Sequence, residues 1–393
     1  LLNLLLPFLL FSLIFYTNIR YVQKQNWNKW IGYGLHFIFC YHMAFAFIFT
    51  QYLNDNGGDA LRYWTLTADT SQNAQTWTEH WGHRTFFIQW LNYIPSKILN
   101  LNFLTGNLLY AAAAFIGIRI LYKSTFNYIS NGTSTKTLIF LIWIFCFPNL
   151  HFWTAGVGKE ALLFTAIMLA LEAFNRDKIN LFLALIAILL AWWIRPITGA
   201  ILALTCFISF ILNKNNSLLH RNIALGLFLI LGGLAAYKLT IMMHLEEYSW
   251  QAFLDFSGQQ MAFLQNLNAN SEIPMQDYNA LQKTYALFLR PDWTDVTNFW
   301  TFAAAVENTT FILLIAVATF SYFKHKTFTL PKTITWGLFF GLSMMLIYAF
   351  TLNNLGIITR MKSTYMIFFY IATAFVIFAI DKHSKVCQST DLP

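Results

Sequence analysis

Charge is what this sequence has least of. Lys, Arg, Asp and Glu together make up 11% of its 393 residues, less than half of the ~25% usual in soluble domains. A chain of this length cannot clothe a hydrated surface with so little charge, which excludes a soluble globular enzyme. Cysteine is also sparse: Cys40, Cys146 and Cys206 lie in apolar runs and Cys387 in the tail. No pair reads as a disulfide and no spacing as a thiolate metal site, so all four read as small buried hydrophobes. The sequence has no nucleotide-phosphate loop, no Gly-x-Ser-x-Gly elbow and no zinc-protease helix. It shows no internal repeat, which argues against an inverted-repeat transporter.

Apolar residues fill the space that charge leaves. The chain is 57% hydrophobic and 18% aromatic, and long apolar runs recur through it. The expected class is an all-α polytopic membrane protein, a single integral membrane domain over residues 1–393. Hydropathy predicts about eleven transmembrane helices, near 1–16, 31–53, 103–122, 137–153, 160–174, 179–194, 197–213, 222–243, 303–323, 333–352 and 363–380. Leu1 to Tyr16 reads as a first span and not as a signal peptide. The segments around Pro148 and Arg195-Pro196 are the shortest, so broken or re-entrant geometry is expected there.

Orientation follows from Lys and Arg. With the N-terminus outside, Arg20, Lys24, Lys29, Lys123, Lys136, Arg176, Lys178, Lys214, Arg221, Lys324, Lys326, Lys332, Lys382 and Lys385 fall in short inner loops. Asp55, Asp59, Asp69, Glu79, Glu160, Glu246, Glu247, Asp255, Glu272, Asp277, Asp292 and Asp295 fall outside. The net charge of +8 is therefore a topology signal, and no nucleic-acid partner is implied. Asn131-Gly132-Thr133 matches a glycosylation sequon but falls inside and is set aside.

Two external loops are long, 54–102 and 244–302. The first has an apolar stripe at Phe86, Phe87, Trp90, Leu91 and Ile94 that predicts an interfacial amphipathic helix ended by Pro95. The second has a helical stripe at Tyr278, Leu281, Tyr285 and Phe288.

Seven basic residues run against the orientation bias: Arg62, Arg84, Lys159, Arg195, Arg290, Arg360 and Lys362. Lys159-Glu160 falls where a span should begin, in His151-Phe-Trp153-Thr-Ala-Gly-Val-Gly-Lys159-Glu160. Ionisable groups at that depth are costly and tend to be functional. Glu160 also suits a helix N-terminus, and Lys159 can extend to the interface, so a structural role stands beside the functional one. Arg195 precedes Pro196 at a helix junction, and Arg360 precedes the last span. Together with Lys159 they suit a phosphate clamp, because arginine binds phosphate through two parallel hydrogen bonds and lysine adds a point charge. Arg290-Pro291-Asp292 joins from the second loop. Asp55-Asn-Gly-Gly-Asp59 leads into Arg62; its carboxylates lie four residues apart, as a general base or metal ligand or as a solvated turn with a helix cap. His80 and His83 stand near Glu79 without a third metal ligand at a matching spacing.

The combination resembles a known family. It comprises an Asp in the first large external loop, interfacial helices after it, Pro148-Asn-Leu-His151-Phe-Trp153 leading to Gly158-Lys159-Glu160, Arg195-Pro196, and Arg360 before the last span. These resemble the multispanning bacterial class C (GT-C-type) glycosyltransferases and the O-antigen and exopolysaccharide polymerases, which build on polyprenyl carriers. The resemblance implies a GT-C-like fold, a bacterial inner-membrane location and a lipid-linked saccharide substrate among membrane lipids. It also implies protein partners in an envelope glycan machinery. It assigns the base to Asp59, with Asp55 second and Glu160 third. Phosphate and substrate would meet Lys159, Arg195 and Arg360, with Arg62, His151, Trp153 and Arg290 in support. No metal ligand set is assigned, although a divalent cation such as Mg or Mn is compatible with the family. Two alternatives remain open: a flippase or transporter of a lipid-linked or anionic substrate, and a non-catalytic membrane subunit of a larger assembly.

Overall fold

The computed structural model describes all residues except 1, 26, 130–132, 176–178, 214–215, 243–249, 266–270, 326–327 and 380–393. Asn131 and Gly132 of the sequon, Cys387, Glu246, Glu247, Arg176, Lys178, Lys214, Lys326, Lys382 and Lys385 lie outside the described residues. Among the described residues the chain is all-helical, with one isolated β-bridge between Glu272 and Asn354.

The helices are α1 (Leu2–Gln25), α2 (Lys29–Asn56), α3 (Asp59–Trp64), α4 (Thr85–Asn92), α5 (Phe103–Phe126) and α6 (Thr135–Ile144). There follow α7 (Pro148–Thr154), α8 (Lys159–Phe174), α9 (Leu181–Ile194), α10 (Pro196–Leu212), α11 (Leu218–Met242) and α12 (Trp250–Gln265). The last are α13 (Ala280–Leu289), α14 (Phe299–His325), α15 (Lys332–Thr351), α16 (Leu355–Lys362) and α17 (Met366–Ile377).

By length and composition α1, α2, α5, α14 and α15 can each cross a membrane. The pair α6–α7 makes a sixth crossing if it is taken as one span bent by 43°. The bend falls at Pro148, which opens α7 and supplies no N–H to continue α6. The apolar runs expected at 160–174, 179–194, 197–213 and 363–380 are helices of 16, 14, 17 and 12 residues. At about 1.5 Å per residue none reaches the ~30 Å of a hydrocarbon core. The chain is thus a helical membrane protein, and among the described residues fewer helices are long and apolar enough to span than the eleven that hydropathy predicts.

The two ends of the bundle are tied by different contacts. At one end Asn102 N–H donates to Asn3 Oδ1 (2.8 Å), and Trp64 Nε1 donates to Leu101 O (3.2 Å). At the other, Trp27 Nε1 donates to Asn127 Oδ1 (2.7 Å) and Lys123 pairs with Glu172 (3.1 Å). The centre is α8, packed against α5 and α9, with α2 against α5 and α14 against α17. Leu163, Phe164, Ile167 and Met168 of α8 are fully or almost fully buried. At the periphery, Leu4, Phe8, Phe182, Leu229, Phe320 and Leu346 are exposed. Apolar side chains spread that widely over a surface belong in lipid, where exposure carries no hydrophobic cost.

Two local expectations change. Pro95 does not end the first amphipathic helix: α4 passes into a π-helical turn, Tyr93–Ile98, that contains it. Leu99 N–H reaches Ile94 O (2.9 Å), and the widened turn accommodates a residue that has no N–H of its own. The second external loop holds α12 as well as α13, so it is more ordered than its single stripe predicted.

Candidate functional site

Helix α8 begins at Lys159 with Glu160 in its first turn, where the helix dipole favours a carboxylate. The approach to it is tight: a Cβ at Gly156 would fall 2.1 Å from the Phe49 ring. Arg195 is both the C-cap of α9 and the N-cap of α10, in extended conformation (φ −148°, ψ 99°). Such a residue projects its side chain from a break between helices. Arg360 comes from the last turn of α16. Asp59 opens α3 after Gly57 (φ 70°) and Gly58 (φ 143°), both in the left-handed region that disfavours other residues.

These elements bring the charges to one point. Glu160 Oε1 lies 2.8 Å from Arg195 Nη2 and Oε2 lies 2.7 Å from Arg360 Nε. The Glu160 side chain is only 2% exposed, against 26% for Arg195 and 18% for Arg360. Arg360 Nη1 also stands 3.4 Å from Asp59 Oδ2, whose side chain is 58% exposed. The Arg360 guanidinium lies over the Trp153 ring at 5.8 Å, and Arg195 Nη1 points at the Met361 sulfur. Lys159 Nζ donates to Thr85 Oγ1 (3.2 Å) and stands over the Tyr63 ring at 5.4 Å. Lys159 also lies within electrostatic reach of Arg195, Arg360, Glu160 and Asp59.

Of the residues singled out from the sequence, Lys159, Glu160, Arg195, Arg360, Asp59 and Trp153 therefore converge. Four do not. His151 is fully buried; its Nδ1 faces His42 Nδ1 (2.9 Å) and its Nε2 lies 2.6 Å from Phe145 O. It sits in the core, away from the charged cluster, because its helix α7 turns that side chain into the bundle. Arg62 is exposed and donates to Thr67 O (3.3 Å) in its own loop. Asp55 is exposed and accepts from Gln51 Nε2 (2.9 Å) at the end of α2. Arg290 is engaged by Asp295 through Nε (2.9 Å) and Nη2 (2.5 Å), and by the Tyr278 hydroxyl (2.9 Å). Glu160 changes role: with both oxygens facing guanidinium groups it orients Arg195 and Arg360 and is poorly placed to take a proton. Asp59 is the carboxylate open to solvent.

Of the frame that holds Arg360, Lys362 and Arg290 stood out in the sequence, but Glu307, Asn308 and Tyr370 did not. Glu307 is buried and accepts from Asn149 N–H (2.8 Å) and the Tyr370 hydroxyl (3.1 Å), while Asn149 Nδ2 donates to Thr359 O (3.0 Å). Lys362, 2% exposed, donates to Arg290 O (2.9 Å) and Asn308 Oδ1 (3.0 Å). These partners come from α7, α14, α17 and the 290–291 turn, far apart in sequence. Tyr63 was legible, since it lies one helical turn after Asp59.

Three cations against two carboxylates leave one positive charge in excess, and one of the carboxylates is loosely held. Guanidinium groups fixed on a buried anion are preorganised donors for a phosphate. The same donor set does not fit a divalent cation, since both carboxylates already face arginine. Among the described residues no group of three or more His, Cys, Asp and Glu side chains converges. No family model, curated protein or solved structure matches this chain.

A cleft of about 490 Å³ lies apart from this cluster, lined by Tyr278, Leu281, Gln282, Tyr285, Arg290, Asp292 and Thr294. Burial acts to raise the Asp292 carboxyl, but donors from Thr294 and Tyr285 outweigh it and hold the group below its ordinary value of 3.8. The same hydrogen bond pushes the Tyr285 hydroxyl up to about 12. A depressed carboxylate contributes stability above its unfolded value, and that contribution is lost as pH falls through the lower folded value. Hydrogen-exchange protection of residues 285–295, corrected for intrinsic rates, is expected to hold as pH falls to 3.8 and to give way only below it. Loss of protection well above 3.8 would contradict the Tyr285–Asp292–Thr294 arrangement.

Proposed function

We propose that the chain is an integral membrane glycosyltransferase or polysaccharide polymerase with a GT-C-like fold and about eleven membrane crossings, some of them short. It acts on polyprenyl-(pyro)phosphate-linked sugars at the external face of a bacterial inner membrane. The observation that carries this reading is the pairing of Arg195 and Arg360 on one buried carboxylate, with Lys159 within electrostatic reach.

A lipid-linked donor most needs its leaving phosphate neutralised, and fixed guanidinium groups in a water-poor site do that without reorganisation. The phosphate meets Arg195, Arg360 and Lys159, and the lipid tail lies between helices. Its arrival at Arg360 replaces the long 3.4 Å contact to Asp59 and frees that carboxylate. Asp59 then takes the proton of the acceptor hydroxyl as its oxygen bonds to the anomeric carbon. The bond from that carbon to the phosphate oxygen breaks, and its electron pair leaves with the phosphate. Glu160 keeps both arginines oriented throughout. Asp55 is the second candidate for the base.

Asp59→Asn and Arg195→Ala are each expected to abolish surface-glycan assembly in the host while protein abundance in the membrane is retained. The readouts are glycan extraction and quantitative blotting of membranes. Normal glycan in both variants would overturn the assignment.

A further inference from the structure

We propose that the cleft between α13 and the 290–294 turn is a subsite for an uncharged saccharide. It would take the sugar end of the substrate whose phosphate meets Arg195 and Arg360. The proposal rests on the glycan-transfer reading above and adds where the sugar sits and what kind of sugar is accepted.

Size and lining agree with this. The volume of about 490 Å³ lies in the range of small-ligand sites. Leu281 and Tyr285 are 82% and 42% exposed, so apolar surface is offered to whatever enters. Asp292 and Thr294 complete the lining with polar groups. A sugar ring has the matching character: a C–H face that lies against an aromatic or aliphatic side chain, and a rim of hydroxyl groups for polar ones.

Charge selects among sugars. The two ionic groups that line the cleft are both satisfied inside it. Arg290 is held by Asp295 and Tyr278. Asp292 accepts from Tyr285 Oη (2.6 Å), Thr294 N–H (2.8 Å) and Thr294 Oγ1 (2.6 Å). Asp295 already neutralises the Arg290 charge and Asp292 adds a negative one, so an anionic ligand gains little there, whereas a neutral polyol hydrogen-bonds to the network as it stands. The free positive charge is at the Glu160 cluster, so the two sites divide the substrate between them.

Hydrogen bonds link the two sites. Lys362 lies two residues after Arg360 on α16 and donates to Arg290 O and Asn308 Oδ1. Asn308 Nδ2 in turn donates to Pro291 O (2.8 Å). Lys362 thereby ties the 290–291 turn to the helix that carries Arg360.

The test uses the full chain reconstituted with lipid-linked saccharide extracted from cells that lack the protein. The probe is the same saccharide freed from its lipid by mild acid, added as an inhibitor of transfer. The wild type is expected to be inhibited. Tyr285→Ala and Leu281→Ser should each weaken that inhibition about tenfold, equivalent to about 1.4 kcal/mol. Leu281 is a surface residue, so its loss does not threaten folding. If both variants are inhibited as the wild type is, or if the wild type transfers sugar yet ignores the free saccharide, the subsite is wrong and the transfer reading survives. In the first case this face belongs to the bilayer. If the wild type transfers nothing from any extracted lipid-linked saccharide, the transfer reading fails and the subsite falls with it.

Discussion

Glu160→Ala should destabilise the protein by about 3–5 kcal/mol, the usual cost of removing one member of a buried ion pair. The reason is what stays behind. Arg195 and Arg360 both point at the Glu160 oxygens at 2.8 and 2.7 Å. Without the carboxylate, two guanidinium groups face one another in a site that water reaches poorly, with Lys159 close by. The remaining anion, Asp59, is 58% exposed and 3.4 Å from Arg360, too far out to replace it. Asp59→Ala, by contrast, removes an exposed and long contact and should cost no more than about 1 kcal/mol. Removing Arg195 in the Glu160→Ala background should recover part of the loss, because it relieves the repulsion that the first change created. Detergent-solubilised variants compared by chemical unfolding would show the order. A Glu160→Ala variant as stable as Asp59→Ala would mean that the buried pairing does not hold the site together.

Gly199→Ala should be the most damaging single-methyl change in the α9–α10 junction, at about 3 kcal/mol or more. A Cβ at Gly199 would stand 2.6 Å from both the N and the Cα of Trp192. These are backbone atoms, so no rotamer change relieves the contact and the two helices must separate. Gly199 N–H also donates to Arg195 O (3.0 Å), so separation moves the residue that reaches Glu160. Loss of stability and, on the proposed function, loss of glycan assembly should therefore appear together. Gly226→Ala is the control: no described atom lies within 4 Å of its added Cβ, and alanine is the better helix former by about 1 kcal/mol. The two substitutions should thus have opposite signs in the same unfolding assay. A neutral Gly199→Ala would show that α9 and α10 are not packed at that distance.

Much of the candidate site was legible because it broke a pattern. In a chain with so few charges, Lys159-Glu160 at the start of an apolar helix, Arg195 between two such helices and Arg360 before a third stood out on position alone. His151 shows where that reasoning ends. It sits in the same polar stretch as Lys159, yet α7 is a separate short helix that turns the imidazole toward His42. Glu307 and Lys362 show the converse. Glu307 lies in an apolar run without a local signal, and Lys362 stood out only as a basic residue against the orientation bias; their roles come from Asn149, Tyr370 and the Arg290 carbonyl, contributed by other elements.

Composition and hydropathy determined by themselves that this is a helical membrane protein, because transfer of apolar surface out of water adds up residue by residue along the chain. They also located the costly charges. The lengths of the described helices and the partners of each charge, including the two arginines on Glu160, were decided only in the tertiary structure. Helix length depends on where a proline or an extended residue breaks the hydrogen-bond ladder, as at Pro148 and Arg195. The pairing of charges depends on which helix ends meet, and those ends come from stretches of chain that no local rule connects.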